Sequence, residues 1–349
     1  MTGRPFNRRK FLKLASVGGG TLLVVGLLKG TSLVYGSTPL GTRLVWLTRM
    51  LDRRLLGEPS LVGLSQCASY ADAPECLRLL WQQAGLPEVQ GQRVLVKPNM
   101  IEAVEGRPST TSPELVAALV RYLAEQGARD IVVGDGSGFR RDLATEARAC
   151  GLAQALKGQP ARLVDLNYDD PRPVVAPAGW FIGTNQLWLP RSVREADLIV
   201  SVPRLKTHHW AGVSLSLKNL FGLVPGCRYG WPKNMLHFNG ISRSIIGLYE
   251  ASRSLAPLVT IVDGIVGMEG DGPINGEAVD HGLLAAGRDL VAVDTVCTQL
   301  MGFNPQHIEH LLAAMWTGAG QVERIRTVGE PRERLQRHYQ APPGAKLVG

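Results

Sequence analysis

The chain has 349 residues, 45% of them hydrophobic and 19% charged, enough apolar material for one large or two intimate globular domains. The formal net charge of +8 is misplaced for a nucleic-acid binder: Arg4, Arg8, Arg9, Lys10, Lys13 and Lys29 lie in residues 1–36, which hold no acid, and the rest of the chain is nearly balanced. The five cysteines, Cys67, Cys76, Cys150, Cys227 and Cys297, include no C-x-x-C pair, which argues against an iron–sulfur cluster ligated by this chain.

The amino terminus carries Asn7-Arg8-Arg9-Lys10-Phe11-Leu12-Lys13 and then a short apolar run, Thr21–Leu28, interrupted by Gly26. This resembles a twin-arginine export signal. The run is too short to span a bilayer comfortably. The resemblance implies that residues 1–36 engage the twin-arginine translocation machinery. It also implies that the folded chain reaches the periplasm or the outer face of the cytoplasmic membrane. Cleavage after Gly36 and retention as an anchor both fit the sequence. Residues 37–60 are expected as a linker, 61–325 as the folded body and 326–349 as a tail. Cys67 and Cys76 are close enough in sequence for a disulfide in an oxidising compartment, and two separate buried thiols fit as well.

Along the body, apolar runs alternate with amphipathic ones. Leu61–Ser65 reads as a strand and Pro74–Ala84 as a helix with Leu77, Leu80 and Trp81 inward. Arg93–Lys97 is a strand stopped by Pro98. Ser112 then caps a helix with Pro113 at its first position. Strands follow at Asp130–Val133, Arg162–Leu166, Asp197–Val202, Leu258–Val262 and Gly282–Ala286. Helices are expected around Asp142–Cys150 and over Asp289–Met301. Such alternation predicts an α/β fold: a mainly parallel sheet with helices on both faces, and a site beyond the carboxyl ends of the strands.

The polar residues most expensive to bury fall at those ends. Lys97 and Asn99 follow one strand, Asp135 ends another, and Asp263 ends a third. Arg204–Trp210 is expected as a loop after Pro203, carrying Lys206, His208 and His209. Lys218 and Asn219 follow in an otherwise apolar segment, and several unpaired donors in such a setting favour a bound anion. Val213–Leu217 alternates like a strand, while Lys218–Gly222 also fits a helix start. The aperiodic stretch Val224–Gly240, with Arg228 and His237, is long enough for a lid or binding loop. Val262–Pro273 reads as a glycine-rich loop holding Asp263, Glu269 and Asp271. Carboxylates together with histidines would suit a divalent metal. The pair His307 and His310 reads as a helix surface.

Taken in order, VLVKPNM, TSPELVAALVRYLAEQGA, IVVGDGSG, DLIVSVPRLKTHHWAGVSLSLKNLFGLVPG, IVDGIVGMEGDGPINGE and GRDLVAVDTVCTQLMG resemble the domain of unknown function 362 family. The resemblance covers about Leu61 to Gly320. It implies an α/β fold and a site drawn from Lys97, Asn99, Lys206, His208, Lys218, Asn219, His237, Asp263, Glu269 and Asp294. The expectation is a metal-dependent enzyme for a small carboxylate or phosphate. Lys206, His208 and Lys218 would do chemistry, and Lys97, Asn99, Asn219 and Arg228 would bind substrate. His208, His237, Asp263, Glu269 and Asp294 would hold the metal. A non-catalytic binding or maturation protein serving a redox partner is the alternative. Some relatives carry a cluster-binding segment that this chain lacks.

Overall fold

The computed structural model describes residues 40–138, 142–181, 183–231 and 233–348. The expected export signal lies outside the described residues. The strands are β1 Ser60–Gln66, β2 Arg93–Pro98, β3 Asp130–Asp135, β4 Arg162–Asp165, β5 Arg172–Val175, β6 Gln186–Leu189, β7 Leu198–Val202, β8 Arg204–His208, β9 Gly212–Ser214, β10 Leu258–Glu269, β11 Glu277–Gly287 and β12 Ile325–Gly329. The helices that matter below are α1 Leu40–Leu56, α2 Ala73–Gln83, α3 Pro113–Glu125, α4 Leu143–Ala149, α5 Ser216–Asn219, α6 Asn234–Phe238, α7 Ile241–Leu255, α8 Leu290–Leu300 and α9 Glu309–Thr317.

Among the described residues, ten strands form one sheet in the order β12-β1-β11-β10-β7-β2-β3-β4, with β8 on β10 and β9 on β8. β5 and β6 form a separate hairpin. Only β11, against β1 and β10, and β9, against β8, pair antiparallel in the large sheet. The expected mainly parallel α/β architecture is therefore present.

Strand side chains alternate between faces, and here both faces are apolar. Leu95, Ile199, Val262 and Leu283 pack with Ile245 and Leu248 of α7, Val291 and Val296 of α8 and Leu311 of α9. Val94, Val96, Leu198, Val200 and Leu284 pack on the other face with Leu77 and Leu80 of α2, Leu115 and Leu119 of α3 and Ala147 of α4. Ser112 caps α3, its side chain accepting from Leu115 N, as its sequence predicts.

Several boundaries differ from expectation. The expected linker contains α1, whose Trp46 is buried with its ring 4.7 Å from that of Trp180. The expected tail supplies β12, parallel to β1, and the buried Leu335, Tyr339 and Leu347. Among the described residues, no helix is long and apolar enough to cross a membrane.

Arg204–His208 is a strand rather than a loop. Pro203 lacks an N–H and ends β7, yet β10 continues well past it. β10 pairs Leu258–Thr260 with Ile199–Ser201 and then Asp263 and Met268 with Arg204 and Lys206. For the same reason Val262–Glu269 is strand, not loop. The undecided segment after it resolves as β9 followed by α5.

Candidate functional site

The carboxyl ends of β2, β3 and β8 converge on a cavity of about 150 Å³. Lys97, Asn99, Asp135, Lys206, His208, Lys218, Asn219, Lys233 and His237 line it, together with apolar Met100, Ile101, Trp210, Phe221 and Ile274. This is where an open parallel sheet presents ligand sites. The sequence-predicted Lys97, Asn99, Lys206, His208, Lys218, Asn219 and His237 are brought together. Arg228, Asp263, Glu269 and Asp294 are not.

Two of the gathered residues are spent on each other. Lys97 Nζ lies 2.8 Å from Asp135 Oδ1 and donates to Pro98 O and Asn219 Oδ1 at 2.7 and 2.8 Å. Asn219 Nδ2 donates to Lys97 O and Ser201 Oγ, both at 3.0 Å. Asp135 Oδ2 accepts from Met100 N at 2.7 Å. Burial pushes the Lys97 pKa down, and Asp135 pulls it back. Lys97 is held by two hydrogen bonds and one ion pair. Lys97 and Asn219 thus build the cavity wall rather than offering free donors to a substrate. Gly222 closes against this knot: a Cβ there would overlap Asp135 Oδ1 and Lys97 Nζ.

Lys218 differs. It stands on α5, whose first amides are held by Asp294: Oδ1 accepts from Ser216 N and Oδ2 from Leu217 N, both at 2.8 Å. Burial raises the Asp294 pKa to about 7 against the pull of those N–H groups. Asp294 is therefore a positioning residue and not a metal ligand. Among the described residues Lys218 Nζ has no hydrogen-bond partner and no carboxylate, and it sits 4.0 Å from the centre of the Phe221 ring. Burial, and then the charge of Lys97, lower its pKa to about 7. Asp294→Ala is expected to cost about 1–3 kcal/mol by orphaning buried amides, and to weaken ligand binding by loosening α5. Denaturant unfolding and calorimetry on the same variant read the two effects separately.

Lys206 Nζ donates to Ser109 O at 2.6 Å and Pro273 O at 3.1 Å, which leaves one N–H on the ammonium and none on the neutral amine. Burial and then the neighbouring cations Arg204, Lys218 and Lys97 drive its pKa well below the usual lysine value. Lys233 is a cavity residue that sequence reasoning missed. Its Nζ donates to Asn167 Oδ1 at 2.6 Å, and burial lowers its pKa to about 8. It sits at φ +69 at the start of α6, inside a stretch without periodicity, so only its position in the expected binding loop pointed to it. The expected Arg228 is instead exposed, 4.6 Å from the Trp188 ring centre.

Of the three cavity histidines, His208 and His237 have opposite roles. His208 Nδ1 accepts from Trp210 N at 3.1 Å and Ala211 N at 3.3 Å, so the neutral ring carries its proton on Nε2. Burial, and then Lys218, hold its pKa well below the usual histidine value. His237 Nδ1 faces Lys233 O at 3.1 Å. A carbonyl only accepts, so His237 keeps its proton on Nδ1 and a lone pair on Nε2. One ring offers a donor and the other an acceptor. Asn99 Oδ1 is buried without a hydrogen-bond partner, an orphan acceptor in a cavity-lining residue.

The remaining expected metal ligands are committed elsewhere. Asp263 is fully buried. It pairs with Arg204 Nη1 at 3.0 Å, accepts from Tyr70 Oη at 3.0 Å and from Ser112 N at 2.8 Å, tying β10 to β8 and to the cap of α3. Burial raises its pKa, and Arg204 opposes the rise. Glu269 Oε2 accepts from Gln340 N at 2.8 Å. A metal on His208 Nε2 would require an imidazolate, since Nδ1 already accepts two N–H groups. Among the described residues, no group of three or more His, Cys, Asp or Glu side chains is placed to hold a metal ion. The lysine-rich wall fits an anion and does not fit the expected cation.

His310 was expected on a helix surface but is fully buried in α9, with neither ring nitrogen hydrogen-bonded. Burial and Lys218 lower its pKa to about 3. The amphipathic spacing of α9 carries it inward beside Leu311 and Ala314, while His307 lies before the helix and stays exposed.

The family described as "Domain of unknown function (DUF362)" matches residues 94–299, and the chain belongs to it. A thylakoid-associated protein, sll1697, of Synechocystis sp. is 32% identical over 72% of this chain and 77% of its own length. Two solved structures are more distant. The lactate racemase apoprotein from Thermoanaerobacterium thermosaccharolyticum is 18% identical at TM-score 0.39, over 68% of this chain and 55% of that one. A protein from Thermotoga maritima is 14% identical at TM-score 0.35, over 61% of this chain and 54% of that one. The chain thus spans about half the length of either solved protein.

Proposed function

We propose that this member of the DUF362 family binds a small carboxylate or phosphate in the cavity, and that Lys218 takes up a proton to become its counter-ion. The observation that carries this reading is an unpartnered lysine in a wall that holds Lys206, Lys233 and a donating His208. Asp135, the carboxylate on that wall, is already paired with Lys97. A bound anion would supply the missing counter-charge and satisfy the Lys218 donors. It would also raise the Lys218 pKa from about 7, so binding takes up a proton. His237 Nε2 remains an acceptor beside the bound anion, and His208 Nε2–H can steady its negative charge.

The sign of the pH dependence follows. Below about pH 7 the Lys218 ammonium is already formed and anion affinity is full. Above it, protonation must accompany binding, and affinity falls by up to about tenfold per pH unit. Calorimetry with sulfate and acetate, whose own charges are constant through this range, is expected to follow that slope. Affinity that stays flat on crossing pH 7 would remove Lys218 from the binding reaction. The Arg8-Arg9 leader supports export of the folded chain, which would place this cavity outside the cytoplasm. Fractionation of cells producing the full chain and a variant with both arginines replaced by lysine tests that placement.

A further inference from the structure

We infer that the cavity takes a small 2-oxo acid, whose carboxylate meets Lys206 and whose carbonyl carbon is captured by Lys218 Nζ as an imine. This rests on the anion-site reading and adds the class of ligand. Lys218 Nζ has neither a carboxylate nor a hydrogen-bond partner among the described residues. It lies 4.0 Å from the centre of the Phe221 ring, in a cavity also lined by Met100, Ile101 and Ile274 and by His208 and His237. An amine in such surroundings keeps its lone pair available for attack on an electrophile. The wall also carries donors suited to the rest of such a molecule. Protonated beside the ligand carboxylate, Lys206 retains one N–H after donating to Ser109 O and Pro273 O, and His208 offers Nε2–H for the carbonyl oxygen. A cavity of about 150 Å³ is of the size that holds one small ring-sized molecule.

The step balances without an oxidant. The Nζ lone pair forms a C–N bond as the C=O π bond opens, and the oxygen takes the proton released by nitrogen. The resulting hydroxyl then leaves as water with a second proton, giving the imine, which takes a proton from solvent to become the iminium.

The test uses the full chain, pyruvate and borohydride, followed by peptide mapping by mass spectrometry. The expected result is one reduced pyruvyl adduct per chain, on Lys218, blocked by excess sulfate and lost in Lys218→Met. Calorimetric pyruvate binding without an adduct on Lys218 overturns the imine and leaves the anion site standing. Neither binding nor adduct overturns both readings. Adducts confined to exposed lysines also overturn the imine, and because that outcome is read on the unmodified chain, it does not depend on a variant folding.

Discussion

Lys97→Met is expected to destabilise the protein by about 3–5 kcal/mol, the usual cost of breaking a buried ion pair by removing one partner. Lys97 and Asp135 side chains are 1% and 3% exposed, and among the described residues Lys97 is the cation within ion-pair distance of Asp135. The same substitution removes the donor to Asn219 Oδ1, so the residue following Lys218 loses one of its three side-chain tethers. Denaturant unfolding measures the loss, and a cost below about 1 kcal/mol would mean that water reaches this pair. Combining Lys97→Met with Asp135→Leu is expected to recover part of the stability, since no lone charge then remains buried.

Lys218→Met reverses the pattern. The amine forms no hydrogen bond or ion pair among the described residues, and burial already disfavours its charge. Exchanging it for an apolar side chain of similar length is therefore expected to leave stability unchanged or raise it. Anion binding is expected to fall about 10- to 100-fold, the worth of one hydrogen bond to a charged group. Two lysines of one wall thus separate cleanly: one carries stability, the other carries binding. A Lys218→Met protein that unfolds more easily and binds sulfate normally would show that the two assignments are exchanged.

The fold was legible because its signals are local. The apolar runs Arg93–Lys97 and Asp197–Val202, and the Ser112-Pro113 start of α3, depend only on near neighbours. The strand at Arg204–His208 was not legible, since its partner is the far half of β10 and nothing near Pro203 records that pairing. Gathering Lys97, Lys206, His208 and Lys218 at one sheet edge followed from the strand order. Sorting them did not. Whether a lysine is paired is decided by Asp135 and Asn219, which lie 38 and 122 residues from Lys97.

The carboxylates misled for a related reason. Asp263 and Asp294 sit in apolar segments, and a buried acid reads equally as a ligand or as a brace. Asp263 braces Arg204 and the amide of Ser112, while Asp294 braces α5. Lys233 lay in a stretch with no periodicity, and Arg228 nearby looked the better anion binder. Only the turn into α6 brings Lys233 onto the cavity wall and leaves Arg228 against Trp188.

The most direct measurement is the titration of Lys218 itself, read by NMR on protein carrying carbon-13 at the lysine ε positions and assigned with Lys218→Met. A resonance titrating near pH 7 that moves upward when sulfate is added is the predicted result. A Lys218 resonance that titrates near the ordinary lysine value of 10.5 and ignores sulfate would contradict it.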